Sequence, residues 1–217
     1  MINLSDYFDP VSIEKPLWSH LAEPSTLAHN LTISTASNPV TDISDYRLVI
    51  IGVPDDRWSP NKGTGEAPDA IRESLYQLSR LPGKIKIADL GNLKKGPTFE
   101  DTLAGLKDIL SLLSGNSTTA LLIGGSSAVI PAIGKVMTTI RPGYTYTAID
   151  SRLDFVNERR EQDSFNYLGN MVHGKSTGLE NFIQVGYQSH LNDPQVINRF
   201  RKLNFELVRI GEEIGNG

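Results

Sequence analysis

Cysteine is absent from this 217-residue sequence, which excludes disulfides, thiolate metal sites and cysteine nucleophiles together. No apolar run approaches the roughly 20 residues needed to cross a bilayer. Positive charge is also in short supply. Lys and Arg number 21 against 25 Asp and Glu, for a net charge of −4, so no basic field exists from which nucleic-acid binding could start. Neither nucleic acid nor membrane is an expected partner. The opening MINLSDYFDPVSIEK is acidic and broken by proline, unlike a signal peptide, so a cytoplasmic address is the default expectation. What remains is 39% hydrophobic and 21% charged, ordinary for a globular protein able to bury a substantial core.

Residues 1–45 are rich in Ser, Thr, Asn and Pro and poor in periodic apolar pattern. They read as an N-terminal extension packing on a core formed by residues 46–217, with short helices around Trp18 and Leu27. From Tyr46 the pattern changes. Arg47–Val53 is a β-branched run closed by Pro54, as a buried strand requires. Pro68 is placed to open a helix whose apolar stripe is Ile71, Leu75 and Leu78, with Arg72, Glu73 and Gln77 pointing elsewhere. Lys84–Leu90 is the next strand. Thr98 with Asp101 forms a capping box for a helix burying Phe99, Leu103, Leu106, Leu110 and Leu113. Strands at Thr119–Ile123, Tyr144–Asp150, Phe182–Tyr187 and Phe205–Ile210 follow. A helix containing Val129, Ile133, Val136 and Met137 lies between the first two, and one opened by Asp193-Pro194 lies before the last. Strands alternating with amphipathic helices predict a three-layer α/β/α fold with a mostly parallel sheet. Glu212-Glu213-Ile214 resembles the start of another helix, yet the sequence stops at Gly217, as if a C-terminal part were missing.

In open parallel sheets, ligands gather outside the carboxyl ends of the strands. Those positions hold Asp55-Asp56, Asp89, Gly124-Gly125-Ser126-Ser127, Asp150-Ser151-Arg152-Leu153-Asp154 and Tyr187-Gln188-Ser189-His190. Asp150, Arg152 and Asp154 share one face while the chain stays extended. With histidine in the middle, two carboxylates at this spacing would make a compact divalent-ion site. Arginine holds its proton and binds no metal, so on residue chemistry alone an Asp–Arg–Asp ion cluster ordering the loop is favoured. Gly63-Thr64-Gly65 lacks a P-loop ending and reads as a turn, and Gly124-Gly125 as a tight turn beside a strand end. Neither Ser126 nor Ser127 stands in a nucleophile elbow. Of the histidines, His20, His29, His173 and His190, none is spaced as a metal pair, and His190 is the candidate for proton transfer.

Taken in order, these segments resemble the ureohydrolases: arginase, agmatinase and formimidoylglutamase. The resemblance is carried by Gly52-Val53-Pro54 through Gly63 to Ala67-Pro68-Asp69-Ala70-Ile71-Arg72, and by Leu121-Leu122-Ile123-Gly124-Gly125-Ser126-Ser127. Asp150–Asp154 stands where the family has Asp-Ala-His-x-Asp, and Ile183-Gln184-Val185-Gly186-Tyr187 is similar to a later strand. Together they cover most of residues 46–210.

The resemblance implies hydrolysis of linear amidines or guanidines by two manganese ions, a small amidine- or guanidine-like ligand, and a homo-oligomer. It also implies that Asp150 and Asp154 are remnant metal ligands, and that Ser127 and Arg152 occupy positions where the family has histidines. Further Ser-x-Asp-x-Asp ligands would lie beyond Ile210. The expectation is a degraded, unoccupied dimanganese site in a chain that needs no cofactor and is inactive by itself. Gly124, Gly125, Ser126 and His190 would line the old pocket, and Arg152 would pair with Asp150 or Asp154 in place of the lost metal. The rival expectation is a manganese hydrolase completed by missing residues. A third, an unrelated nucleotide-binding α/β domain, would use the Gly63 or Gly124 loops.

Overall fold

A computed structural model describes residues 2–11, 23–81, 83, 85–140, 143–155, 166–173 and 178–211. The chain divides into two compact units, Met1–Ser126 and Ser127–Gly217. In the first, β3 (Leu48–Gly52) lies between β4 (Ile87–Leu93) and β5 (Thr119–Ile123), parallel to both. Residues 1–45 do more than pack on this core. They include a short helix α1 (Leu4–Tyr7) and two short strands, β1 (Phe8–Asp9) and β2 (Leu31–Ile33), both paired with β4. β2 takes Ile87–Asp89 in parallel and β1 takes Asn92–Leu93 antiparallel, so the two share in succession the edge of β4 that β3 leaves open. Gly91 lies between them at φ 93°, and a Cβ there would come within 2.2 Å of the Asp9 carbonyl oxygen. Only glycine accommodates both the angle and the approach.

The second unit holds a parallel sheet in which β7 (Leu179–Tyr187) lies between β6 (Tyr144–Ile149) and β8 (Glu206–Arg209). The strands therefore form two ladders, of five and three strands, and β1–β4 is the one antiparallel pairing among the described strands. Helices α4 (Ile130–Ile140), α5 (Tyr167–His173) and α6 (Pro194–Lys202) complete this unit. Its core centres on Phe182, Phe200 and Leu168, all fully buried. Phe182 and Phe200 meet edge-on, 5.5 Å between ring centres, the arrangement the ring quadrupoles favour. In the first unit Ile50, Ile87 and Ile123 bury against Leu27.

Local chemistry sets several boundaries as expected. Helix α3 (Phe99–Gly115) opens with Thr98 accepting from the Asp101 amide, while the Asp101 carboxylate accepts from the Thr98 amide. Asp193 caps α6 by accepting from the Gln195 amide at 2.8 Å. The strand expected at Lys84–Leu90 instead spans Ile87–Leu93, because pairing with β1 carries it past Gly91. Trp18, Lys84 and Glu212-Glu213-Ile214 lie outside the described residues.

Helix α2 (Ala67–Leu75) overturns a second expectation. Ile71 and Leu78 are 41% and 57% exposed, whereas Arg72 is completely buried. The buried line is Pro68, Arg72 and Tyr76, four residues apart and thus on one face. Asp89 is the cause. It lies within β4, not at its end, and is fully buried. The Arg72 guanidinium donates to both Asp89 oxygens at 2.9 Å, and the Tyr76 hydroxyl donates to Asp89 Oδ2 at 2.6 Å. The remaining Arg72 donors reach the Gly91 carbonyl, Asn92 Oδ1 and the Asp69 carboxylate. A buried carboxylate without such a partner costs more than an exposed isoleucine, so charge, not apolar periodicity, turns the helix. Arg72→Met is expected to destabilise the protein by about 3–5 kcal/mol in urea unfolding, because Asp89 loses its counter-charge. Arg72→Met/Asp89→Leu should recover a large part of that loss, as a double-mutant cycle would show.

Candidate functional site at the strand ends

The Asp150 amide continues the ladder by donating to the Val185 carbonyl at 3.1 Å. The chain then turns. The Asp150 carboxylate accepts from the Arg152 amide at 3.0 Å and from the Ser151 hydroxyl at 3.3 Å, an Asx turn that ends the extended run. Positions 150, 152 and 154 therefore do not continue as one strand face. Leu153 and Phe155 enter the core, Asp154 is half-buried, and Asp150 and Arg152 are exposed.

The expected arginine–aspartate pairing is not formed: among the described residues no carboxylate lies within ion-pair distance of Arg152. Two amides order the turn instead. Gln184 Nε2 donates to the Asp150 carbonyl at 2.6 Å and to the Arg152 carbonyl at 3.3 Å. Asn192 Nδ2 donates to the carbonyls of Ser151 and Gln188 at 2.9 and 2.8 Å, while its Oδ1 accepts from the Leu153 amide at 2.7 Å. Carbonyls beyond a strand end need donors, and a neutral amide supplies them without desolvating a charge. Gln184 is fully buried, and its Oε1 has no hydrogen-bond partner among the described residues. Sequence reasoning overlooked both residues. Their signals were a glutamine within the apolar run Ile183–Val185 and an asparagine just before a helix cap.

Two tyrosines also escaped notice. Tyr146 and Tyr167 pack edge-on at 6.2 Å between ring centres and are hydrogen-bonded through their hydroxyls. Burial pushes both phenols above their ordinary range, and the negative charges of Asp154 and Asp150 push further in the same direction. They remain neutral donors near the two carboxylates. The alternating Tyr-Thr-Tyr-Thr before Ala148 was the trace of this in the sequence.

In the first unit, Gly124 and Gly125 form a tight turn at φ 89° and 67°. A Cβ on Gly125 would meet the Val53 carbonyl at 2.2 Å, and one on Gly124 the Pro68 ring at 2.3 Å. Ser126 is buried, and its amide donates to the Asp55 carbonyl at 3.0 Å. The Gly63 amide donates to the Asp56 carboxylate at 2.8 Å, so this loop caps itself, as a turn does. Asp55 is fully buried and bound by Arg57, which also donates to Thr102 and to the Gly96 and Pro97 carbonyls. Burial pushes the Asp55 carboxyl up. The hydrogen bonds and charge of Arg57 outweigh that and hold it below the usual carboxylate range. Asp55 and Asp89 are thus structural members of ion pairs.

Ser127 is half-buried and opens a 3-10 turn leading into α4. His190 is exposed, in a 3-10 turn beginning next to Gln188, whose amide donates to the Ser151 carbonyl. His29 is exposed, and His20 and the side chain of His173 lie outside the described residues.

Asn192→Ala leaves the buried Leu153 amide without its acceptor and removes one of two donors from each of the Ser151 and Gln188 carbonyls; it should cost about 1–3 kcal/mol, with faster hydrogen exchange at the Leu153 amide. Asp55, whose carboxyl is lowered by folding, contributes stability that is complete above about pH 4 and lost as the pH falls through its folded value. Wild type should therefore lose more stability between about pH 5 and pH 2 than Asp55→Asn, as measured by urea unfolding across that range.

The model of the arginase family matches residues 46–213. Among solved structures, the Mn2+ form of formiminoglutamase from Trypanosoma cruzi superposes with a TM-score of 0.71 at 19% identity, over 82% of this chain and 65% of that one. Formimidoylglutamase from Bacillus subtilis gives 0.70 at 16% identity, over 89% of this chain and 62% of that one. A hypothetical agmatinase from Burkholderia thailandensis gives 0.66 at 16% identity, over 83% of this chain and 58% of that one. The chain thus spans less than two thirds of the length of these structures. No curated protein matches. With the family model matching more than three quarters of its residues, the chain belongs to the arginase family.

Proposed function

We propose that this chain is a ureohydrolase-like domain whose dimanganese site is degraded, and that it binds a ligand or partner without hydrolysing amidines. The carrying observation is Arg152, a permanent cation between Asp150 and Asp154 in the family's Asp-x-His-x-Asp position. The donor set does not fit a pair of manganese ions. Asp150 Oδ1 is committed to the Arg152 amide and the Ser151 hydroxyl. Ser127 offers a neutral hydroxyl where the family has an imidazole. Among the described residues no three His, Asp or Glu side chains gather at metal-binding distance. No helix among them is long and apolar enough to cross a membrane, in keeping with a role away from the bilayer.

A second reading, a manganese-dependent hydrolase of linear amidines completed by further residues, is favoured by the retention of both Asp150 and Asp154. The Mn2+ carried by the Trypanosoma cruzi relative points the same way. Metal analysis after dialysis against Mn2+, with amidine hydrolysis assays, separates the two. Wild type is expected to hold no stoichiometric manganese and to show no chelator-sensitive hydrolysis, whereas Ser127→His/Arg152→His gains Mn2+ binding. Stoichiometric manganese and chelator-sensitive turnover in the wild type would sink the proposal.

A further inference from the structure

In the first unit a cavity of about 270 Å3 is lined by α1, β1, β4 and residues 34–40. Most of its wall precedes residue 46, where the family match begins, so the hollow belongs to the N-terminal extension. Its interior is apolar: Leu4, Phe8, Val40 and Leu90 line it, and each is buried. The wall is tied by its own backbone. Thr35 and Asn38 exchange main-chain hydrogen bonds at 3.2 Å, and the Ser34 hydroxyl accepts from the Val40 amide. Two charged side chains share the wall, Lys94 and Asp9, both exposed. Among the described residues neither makes an ion pair, with the other or with any third residue. The Lys94 ammonium donates instead to the Ser5 carbonyl at 2.9 Å, and its amide to the Tyr7 carbonyl at 2.8 Å. The cation is thus anchored at the wall, with further protons to donate.

An apolar hollow beside an anchored cation fits a molecule with a hydrocarbon tail and an anionic head. Asp9 narrows the choice of head. A doubly charged phosphate would meet that carboxylate with more repulsion than a singly charged carboxylate does. At about 30 Å3 for each water-sized volume, the cavity has room for about nine, close to the heavy-atom count of hexanoate. We propose that this cavity binds a short aliphatic monocarboxylate, its tail among Leu4, Phe8, Val40 and Leu90 and its head on Lys94. The N-terminal extension thereby adds a binding site of its own to the fold. No residue of the Asp150–Asp154 turn enters it, so the proposal goes beyond the reading of that turn and does not depend on it.

The test is an NMR titration of the full chain with hexanoate, with acetate, hexan-1-ol, hexylammonium and hexyl phosphate as controls. Hexanoate is expected to shift the methyl signals of Leu4, Val40 and Leu90 and the amide of Lys94. From acetate to hexanoate, each added methylene should tighten binding about threefold to fourfold, as burial of the tail requires. Hexan-1-ol and hexylammonium, which keep the tail and lose the anion, should bind about tenfold more weakly than hexanoate. Lys94→Gln should weaken hexanoate binding about tenfold, and Lys94→Arg should keep most of it. Because Lys94 is exposed, neither variant is expected to unfold, and a one-dimensional spectrum checks this. No shift at high hexanoate concentration, an affinity independent of chain length, or a Gln variant that binds as wild type does overturns the proposal. Hexan-1-ol binding as tightly as hexanoate, or hexyl phosphate binding more tightly, overturns the choice of a monocarboxylate.

Discussion

The ion pair between Arg72 and Asp89 is the constraint on which the first unit depends. Both side chains are completely buried, and the carboxylate is surrounded by donors from the guanidinium, the Tyr76 hydroxyl and the Gly91 amide. Desolvating two charges is offset only when geometry and additional hydrogen bonds are this complete. The consequences spread along the chain. Helix α2 presents Arg72 inward and leaves Ile71 at the surface. Asn92 is drawn into the network, and β4 runs past Gly91 to meet β1. The second ion pair, Asp55 with Arg57, fastens the loop after β3 to the carbonyls before α3. Asp55 and Asp89, both expected at strand ends, are consequently consumed by architecture.

The second unit solves a related problem with neutral groups. Its first strand delivers a carboxylate, an arginine and a second carboxylate within five residues. Charge alone could have closed this segment into a cluster. The backbone claims the carboxylate of Asp150 first, and the carbonyls of the turn are met by Gln184 and Asn192. Among the described residues no carboxylate pairs with the guanidinium, while its backbone is held. The chain belongs to the arginase family, and this segment carries Arg152 between Asp150 and Asp154.

Much of the framework was legible in the sequence because local rules and tertiary demands agree there. Thr119–Ile123 is a strand with the expected ends, Thr98 and Asp101 form their reciprocal cap, and Asp193-Pro194 opens α6. The tight turn at Gly124-Gly125 was likewise visible, since positive φ beside closely approaching backbone calls for glycine. The resemblance carried by the motifs from Gly52 to Tyr187 identified the family.

Other features depended on partners remote in sequence. Strands β1 and β2 are only two and three residues long and exist because β4 offers an edge, which no local periodicity announces. The face of α2 was decided by Asp89, 17 residues from Arg72, because the penalty for an unpaired buried charge exceeds the gain from hiding one isoleucine. Gln184 and Asn192 hold a turn more than 30 residues away from each of them. Sequence by itself determined the alternation of strands and helices, the family, and the presence of Arg152 between Asp150 and Asp154. Tertiary structure alone decided which carboxylates were paired with an arginine and which were claimed by the backbone, because hydrogen-bond satisfaction is settled by neighbours in space.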